Sequence, residues 1–292
     1  MFQIILKKIL PLYFLIFSGY IFGKRKKYDL SYISDVVFYL FAPILVFISV
    51  YKLSLNFKLI LKLFFANTFY VVSSLAILSL IFYKIDRKNY KAISLSLTFS
   101  NVAYLGLPLI FFLYGDKGLE IAVINFLVIS FLHFSLGICY LSGNFKELIS
   151  IPFLYTFILA VILKKLKIPL SKSLINFMEL TGKSSLPLML VSLGTRLASI
   201  SSEDIFKGII YTFLKFITNF LVLILSAKTF SLKGLEFYIF ILQNILPSAI
   251  LNYVFCEKYS KNPNLVSSII LFSTLFSLIY IPLVIFLLKN IF

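Results

Sequence analysis

Residues 92–113 read AISLSLTFSNVAYLGLPLIFFL, an apolar stretch without Lys, Arg, Asp or Glu that is interrupted by Asn101, Gly106 and Pro108. A membrane-spanning helix needs about 20 predominantly apolar residues, so this stretch is long enough to cross a bilayer. A proline inside such a helix frees backbone groups that protein, water or a ligand must satisfy. The stretch therefore predicts a membrane-spanning helix with a break inside it.

A second stretch has the same features. Residues 243–248 read QNILPS within another apolar run, and Asn252 follows. The spacing of Asn244, Pro247, Ser248 and Asn252 places all four on one face of a helix. A polar stripe of this kind is unfavourable against lipid, so we expect it to face the interior of a helical bundle.

The composition of the whole chain agrees with a membrane protein. Of its 292 residues, 61% are hydrophobic and 13% are charged, with a mean hydropathy of +1.02. Soluble domains carry about 25% charged and roughly 45–50% apolar residues. We therefore expect an integral membrane protein of all-α class, in contact with the lipid bilayer and without a separate soluble domain.

The excess of basic residues, 28 Lys and Arg against 11 Asp and Glu, does not indicate nucleic acid binding. The cations fall in short clusters between apolar runs, which is typical of membrane interfaces. Their numbers on the two sides of the membrane are equal, so they do not set the orientation. The clusters at 24–27 and 84–91 favour a cytoplasmic location for those two connections.

Several classes of chemistry are disfavoured by what the chain lacks. Its two cysteines, Cys139 and Cys256, lie in or beside apolar runs and indicate neither a disulfide framework nor a metal site. No G-x-x-x-x-G-K-[ST] motif is present. A single histidine and few acids inside the apolar runs argue against an intramembrane enzyme. We therefore expect no enzymatic activity, no cofactor and no metal site.

Apolar runs bounded by charges predict ten membrane helices. The runs cover residues 9–23, 34–51, 63–83, 92–113, 121–141, 148–163, 175–194, 209–227, 237–255 and 265–288. The first run follows two lysines in the manner of a signal peptide, but no small-residue cleavage site is visible. We therefore interpret it as the first membrane helix.

Six prolines indicate an internal duplication. They pair as Pro11 with Pro152, Pro43 with Pro187 and Pro108 with Pro247, at separations of 141, 144 and 139 residues. The near-equal separations predict a first five-helix repeat at residues 1–142 and a second at 148–292. Because five is odd, the second repeat enters the membrane from the opposite side, as in many transporters.

Two broken helices from opposed repeats would bring their breaks together near the middle of the membrane. The half-helix ends there carry positive dipole ends at N-termini and exposed carbonyls at C-termini. Such a crossing can hold an anion without a fixed cation. The alternative is a pair of kinked helices whose asparagines only bond neighbouring helices, and the sequence leaves it open.

Three segments resemble the auxin efflux carrier family, which contains plant PIN-type carriers and bacterial permeases for malate and similar acids. They are FSNVAYLGLPLIFFLYGDKG at 99–118, LPLMLVSLGTRLA at 186–198 and the region 243–288. They are similar to the fourth, the seventh and the ninth-to-tenth membrane helices of that family. The resemblance extends over nearly the whole chain and includes LFAPILVF at 40–47.

The resemblance implies a secondary transporter that works by an elevator mechanism in the cell membrane. Helices 1, 2, 6 and 7 would form a scaffold, and helices 3–5 and 8–10 would form a moving transport unit. A small organic anion would bind through its carboxylate at the crossing of helices 4 and 9. The substrate site is assigned to Asn101, Gly106, Pro108, Gln243, Asn244, Pro247 and Ser248. The long loop of many plant members is absent, because residues 142–147 alone join the halves.

Accessory roles are assigned to His133, Asn252 and Thr274. His133 is the only histidine, and it titrates near neutral pH in water, so it is a candidate for proton coupling. A histidine bonded inside the bundle is the alternative. The hydroxyls of Ser273, Thr274 and Ser277 could assist a cation site, although bonding to their own helix is commoner. The coupling ion, proton or sodium, stays open.

Charged residues inside the predicted helices need a structural reason. Glu179 and Lys183 have the spacing of an ion pair along one helix. Asp35 and Glu179 each lie eight residues before a paired proline, which predicts an acid at the entrance of both scaffold helices. Lys215 lies deeper, where it would snorkel to the interface, pair with an acid or attract an anionic substrate.

Other functions remain as alternatives at the sequence level. A sodium-coupled symporter of the bile-acid type shares broken, crossing helices, and its flux would require sodium. A passive channel fits paired breaks less well than alternating access does. The sequence distinguishes neither the substrate nor the direction of transport, and it leaves a homodimer open.

Overall fold

The computed structural model describes residues 2–25, 31–52, 57–142, 152–199 and 205–291. These residues are almost entirely helical and contain no β-strand. The helices are α1 Phe2–Arg25, α2 Ser31–Val36, α3 Ala42–Lys52, α4 Phe57–Ile85, α5 Tyr90–Thr98, α6 Gly106–Leu132, α7 Ile138–Ser142, α8 Pro152–Lys165, α9 Lys172–Ser199, α10 Ile205–Thr229, α11 Gly234–Asn244, α12 Ile250–Lys258 and α13 Pro263–Ile291. Two π-helical turns, Val37–Phe41 and His133–Gly137, join α2 to α3 and α6 to α7.

The helices carry apolar side chains on their outer surface as well as in their core. Among the described residues, four stretches are long and apolar enough to cross a bilayer: Lys58–Ile85, Gly106–Ser142, Ile205–Thr229 and Pro263–Leu288. Large apolar side chains are exposed on them, for example Leu80 at 71% and Phe206 at 78%. An all-helical chain with this surface is an integral membrane protein. The count of ten crossings stays a prediction.

Two of the non-helical segments among the described residues lie inside predicted apolar runs, both where the sequence predicts a break. The first break (residues 99–105) separates α5 from α6, and the second break (residues 245–249) separates α11 from α12. Pro247 lies inside the second break. Pro108 lies instead in the first turn of α6, where a proline is tolerated because the N–H groups there have no partner within the helix.

Helix α6 itself is divided at Gly115. This glycine has φ 64° and ψ −156°, a conformation that side-chain-bearing residues rarely adopt. Residues 106–114 and 116–132 are therefore two helical segments with different directions, in agreement with the separate apolar runs predicted there. The part of the sixth predicted run at 148–151 lies outside the described residues.

Helices α1 and α9 approach each other at their glycines. A Cβ atom at Gly194 would lie 2.0 Å from the carbonyl oxygen of Ile16, and one at Gly19 would lie 2.2 Å from that of Val191. Small residues allow helix backbones to touch within a membrane. Helix α9 also packs against α3, and α3 packs against α8, so these four helices form one group.

The prediction of an ion pair between Glu179 and Lys183 is wrong. Glu179 bonds Lys52 on α3, and Lys183 Nζ lies 2.7 Å from Asp116 Oδ1 at the start of the second segment of α6. The physical reason is that α9 packs between two helices that each present an oppositely charged side chain. Partners from other helices therefore replace the local one.

Candidate functional site

The two breaks form backbone hydrogen bonds with each other. The N–H of Asn101 donates to the carbonyl of Pro247 at 2.8 Å, and the N–H of Ala249 donates to the carbonyl of Phe99 at 3.0 Å. Ser100 and Ser248 thereby form an isolated antiparallel bridge. Backbone groups freed inside an apolar bundle need partners, and here each break supplies them to the other.

Side chains cover the carbonyls at the C-terminal end of α5. The carbonyl of Leu97 accepts from Lys215 Nζ at 2.9 Å and from Asn219 Nδ2 at 2.7 Å. The carbonyl of Thr98 accepts from the Tyr70 hydroxyl at 2.8 Å. The negative end of the α5 dipole is therefore held by three donors from α4 and α10.

The end of α11 is covered by hydroxyl groups. The carbonyl of Asn244 accepts from Ser100 Oγ at 2.6 Å, and the carbonyl of Ile245 accepts from the Tyr280 hydroxyl at 3.0 Å. Ser100 thus belongs to the first break and caps the helix that leads into the second. The two breaks form one hydrogen-bonded unit.

A cavity of about 300 Å³ lies beside this unit. Its wall is mainly apolar, and besides seven aliphatic residues it has the aromatic residues Phe38, Tyr39, Tyr104, Phe126, Phe134 and Phe255. Its polar wall groups are Ser100, Asn101, Ser130 and His133, and its charged ones are Asp35, Arg196 and Lys258. The cavity therefore offers an apolar volume with a polar patch at the first break, which is the usual composition of a small-molecule site.

Asn101 is the amide residue on the cavity wall. Its Oδ1 accepts from the backbone N–H of Tyr104 at 3.1 Å, and its side chain lines the cavity. With Oδ1 occupied, the Nδ2 hydrogens are the end available to a ligand. A carboxylate has only acceptors, so it matches this group.

His133 lies on the same wall, at the start of a π-helical turn. Its ring stacks on Phe99 with centroids 4.1 Å apart and meets Phe255 edge-on at 5.0 Å. Its Nε2 is buried without a hydrogen-bond partner among the described residues. Single π-helical turns occur frequently at functional sites. The accessory role predicted for His133 is compatible with this position.

The two amide side chains at the end of α11, just before the second break, bond groups within the protein. Asn244 Nδ2 donates to Asn67 Oδ1 at 2.9 Å and to the carbonyl of Phe240 at 3.0 Å. Gln243 Nε2 donates to the carbonyls of Val102 and Ala122. Neither side chain lines the cavity, so their role as substrate ligands stays a prediction.

The other residues assigned to the site lie away from the cavity wall, and several bond groups within the bundle. Ser248 Oγ accepts from Asn252 Nδ2 at 2.9 Å, and the Ser248 N–H donates to Ser273 Oγ at 3.0 Å. Thr274 bonds the carbonyl of Ile270 in its own helix. Gly106, Pro108, Pro247, Ser248, Asn252 and Thr274 do not line the cavity.

Two buried asparagines were missed by the sequence reasoning. Asn67 Nδ2 donates to Asn125 Oδ1 at 2.8 Å, and Asn67 Oδ1 accepts from Asn244, so three amides link α4, α6 and α11. All three side chains are fully or almost fully buried. Single amides inside apolar runs were the signal that could have identified them.

We expect Asn67→Leu to lower the free energy of unfolding by about 2–4 kcal/mol, because it leaves Asn125 and Asn244 buried with unmet bonds. Chemical unfolding in detergent measures the loss. Thr68→Val is the matched control, since Thr68 is the next residue and its hydroxyl bonds only the carbonyl of Phe64 in the same helix. Equal stability of the two variants would contradict the assigned role.

The comparisons with known proteins agree with a transporter. The family model described as "Membrane transport protein" matches residues 4–144 and 141–285. The chain therefore belongs to this family of membrane transporters, the auxin efflux carrier family that its sequence resembles. Transport across a membrane, rather than enzymatic catalysis, is the activity of this class.

Two relatives extend over almost the entire chain. An uncharacterized transporter of Methanocaldococcus jannaschii is 25% identical over 94% of this chain and 96% of its own length. An uncharacterized transporter of Methanothermobacter thermautotrophicus is 25% identical over 94% of this chain and 95% of its own length. The similarity therefore covers both breaks and all the helices between them.

Proposed function

We propose that the protein is a secondary active transporter that moves a small organic anion, a carboxylate, across the cell membrane. The substrate binds beside the crossing of the two breaks. The observation that supports this is the cavity at the mutually bonded breaks, with the Asn101 amide on its wall. Broken helices that meet inside a membrane protein are typical of transporter substrate sites.

The proposal includes ten membrane crossings in two inverted repeats, at residues 1–142 and 148–292. The crossings are α1, α2 with α3, α4, α5 with 106–114, 116–142, α8, α9, α10, α11 with α12, and α13. The group formed by α1, α3, α8 and α9 is the scaffold, and the helices that carry the breaks belong to the moving unit. Movement of this unit past the scaffold is an elevator mechanism.

The cavity lies toward one end of the bundle. Asp35, Arg196 and Lys258 lie on its wall near the end at which α9 and α12 finish. Further toward the N-terminus of α9, Lys183 contacts Asp116 across the boundary between scaffold and moving unit, and the proposal takes this as the closed end. Under the favoured orientation, with residues 24–27 in the cytoplasm, the cavity lies on the cytoplasmic side, and the proposal takes this structure as the cytoplasm-facing state.

We expect Asp116→Asn to favour opening at the closed end, because it removes one of the contacts that hold that end together. The pair is partly exposed, so the effect corresponds to at most about 1 kcal/mol. We expect a two- to fivefold faster reaction of a membrane-impermeant thiol reagent with Ser49→Cys, a position near Asp116, in a Cys139→Ser background.

Glu179→Gln is the control for this measurement, because the Lys52–Glu179 pair lies within the scaffold. It should leave the labelling rate unchanged. Slower labelling in Asp116→Asn, or equal acceleration in both variants, would show that the contact at Asp116 does not hold the end closed.

The cavity wall favours carboxylates with an apolar body over small, highly polar diacids. Aromatic and aliphatic side chains make up most of the wall, and Ser100 and Asn101 are its polar groups at the first break. Aromatic walls bind apolar groups through burial and edge contacts. We propose an aromatic or branched monocarboxylate as the substrate class.

The test is a thermal-shift screen of mono- and dicarboxylates on purified protein, followed by flux measurements in proteoliposomes. Monocarboxylates with an apolar group should raise the melting temperature and be transported. Stabilisation by none of the carboxylates, together with absence of flux, would overturn the proposal.

A sodium-coupled symporter of the bile-acid type is the second candidate. Gln243 Oε1, Asn244 Oδ1 and Asn252 Oδ1 are buried without partners among the described residues, and amide oxygens are suitable ligands for hard cations. Flux that disappears when sodium is replaced by choline would favour this function. Flux that responds to a pH gradient alone would favour proton coupling.

A further inference from the structure

Lys215 is buried at the crossing without an acidic partner. Its side chain on α10 is 2% exposed, so it does not snorkel to an interface. Among the residues that the structure describes, no Asp or Glu forms an ion pair with it. Of the roles that the sequence leaves open for this lysine, attraction of an anion therefore remains.

The ammonium group donates at both of its contacts. Its Nζ lies 2.9 Å from the Leu97 carbonyl and 2.9 Å from Ser100 Oγ. The only hydrogen of Ser100 Oγ is directed to the Asn244 carbonyl, so this oxygen accepts from Lys215. Lys215 is thus one hydrogen bond removed from the cavity wall, where Ser100 and Asn101 are adjacent.

The charge is present on one side of the crossing only. Lys215 covers the carbonyl end of α5, whereas the carbonyl end of α11 is covered by the neutral hydroxyls of Ser100 and Tyr280. Without Lys215, the carbonyl ends of α5 and α11 would both lack a positively charged partner at the crossing. A buried charge without a counter-ion is also unfavourable, so an anion at this place stabilises the lysine in return.

We propose that Lys215 supplies positive charge that balances the bound carboxylate, so that a coupled sodium ion is not needed for this balance. This inference rests on the proposed function and names a residue that determines its selectivity. Lys215 is a positioning residue, since it acts through Ser100. Helix α10 packs on α4, α5, α11 and α13, so the charge belongs to the same group of helices as the breaks and moves with them.

The experiment compares an acid with its neutral isostere, using phenylacetate and phenylacetamide as probes on the purified full chain. Affinities come from thermal shifts at increasing probe concentration. In the wild type we expect phenylacetate to bind at least about tenfold more tightly than phenylacetamide. In Lys215→Gln we expect the affinity for phenylacetate to fall at least about tenfold, or 1.4 kcal/mol, and the affinity for phenylacetamide to stay unchanged.

Three further variants separate charge from structure. Lys215→Arg keeps the charge and should keep most of the preference for the acid. Asn219→Ala removes the other donor to the Leu97 carbonyl without changing charge, so the acid-to-amide ratio should stay the same. Lys215→Met fills the same volume with an apolar chain, and it repeats the measurement if Lys215→Gln does not fold.

The outcomes distinguish the two proposals. A wild type that does not prefer phenylacetate over phenylacetamide overturns both the anion site and the role of Lys215. A wild type that prefers the acid, with the same ratio in Lys215→Gln or Lys215→Met, overturns the inference alone. An acid affinity in the wild type that falls when sodium is replaced by choline also overturns it, because the lysine would then not replace the ion.

Discussion

Asn101→Ala is expected to lower carboxylate affinity and transport by about 10–100-fold while the protein stays folded. The Asn101 Nδ2 group is the amide donor on the cavity wall, and its Oδ1 is already held by the Tyr104 N–H. Hydrogen bonds to charged groups contribute about 1.5–3 kcal/mol, which sets the size of the loss. The backbone bond from Asn101 to Pro247 does not depend on the side chain, so the breaks stay paired.

The measurement combines thermal shift with a carboxylate and counterflow in proteoliposomes. Asn89→Ala is the control, because Asn89 bonds Asp86 and Asn262, and none of these three residues lines the cavity. Full transport by Asn101→Ala would contradict the proposed role of this amide in substrate binding. Equal loss in both variants would indicate that reduced stability, rather than lost binding, explains the effect.

Gly194→Val is expected to prevent assembly of the scaffold. Even a Cβ at this position would lie 2.0 Å from the Ile16 carbonyl oxygen and 2.7 Å from the backbone nitrogen of Tyr20. Backbone atoms cannot move aside as a flexible side chain does, so α1 and α9 must separate. We expect a loss of at least about 3 kcal/mol, at the upper end of the usual effect of overpacking.

Size-exclusion chromatography in detergent measures the outcome as the yield of monodisperse protein. Ser184→Ala on the same helix is the control, since its hydroxyl bonds only the Leu180 carbonyl of α9 itself. A normal yield and an unchanged melting temperature for Gly194→Val would show that the close approach of α1 and α9 is not required for folding.

The positions of the helices and of their breaks could be predicted because their causes are local. Hydropathy decides which residues enter the membrane, and a proline or a glycine acts on the backbone within a few residues of itself. The first and second breaks both occur where Asn101, Gly106 and Pro247 interrupt apolar runs. The family could be identified for a related reason, since the order of these segments extends over the whole chain.

The directions of the side chains at the crossing could not be predicted. Asn101 and Asn244 occupy comparable places in the sequence pattern, yet one lines the cavity and the other bonds Asn67 on a different helix. The sequence also suggested a local partner for Glu179, whereas the structure pairs it with Lys52. Such partners depend on how each helix is rotated about its axis, and a single sequence does not fix that rotation.

The sequence by itself determined that this protein lies in a membrane, is helical, has two interrupted helices and belongs to a family of transporters. Only the tertiary structure decided that the breaks bond each other, that aromatic rings enclose the cavity and that Lys215 meets Leu97 and Ser100. The physical reason is distance along the chain. Hydropathy and helix breaks arise among neighbouring residues, whereas an anion site is assembled from side chains that packing brings together from separate helices.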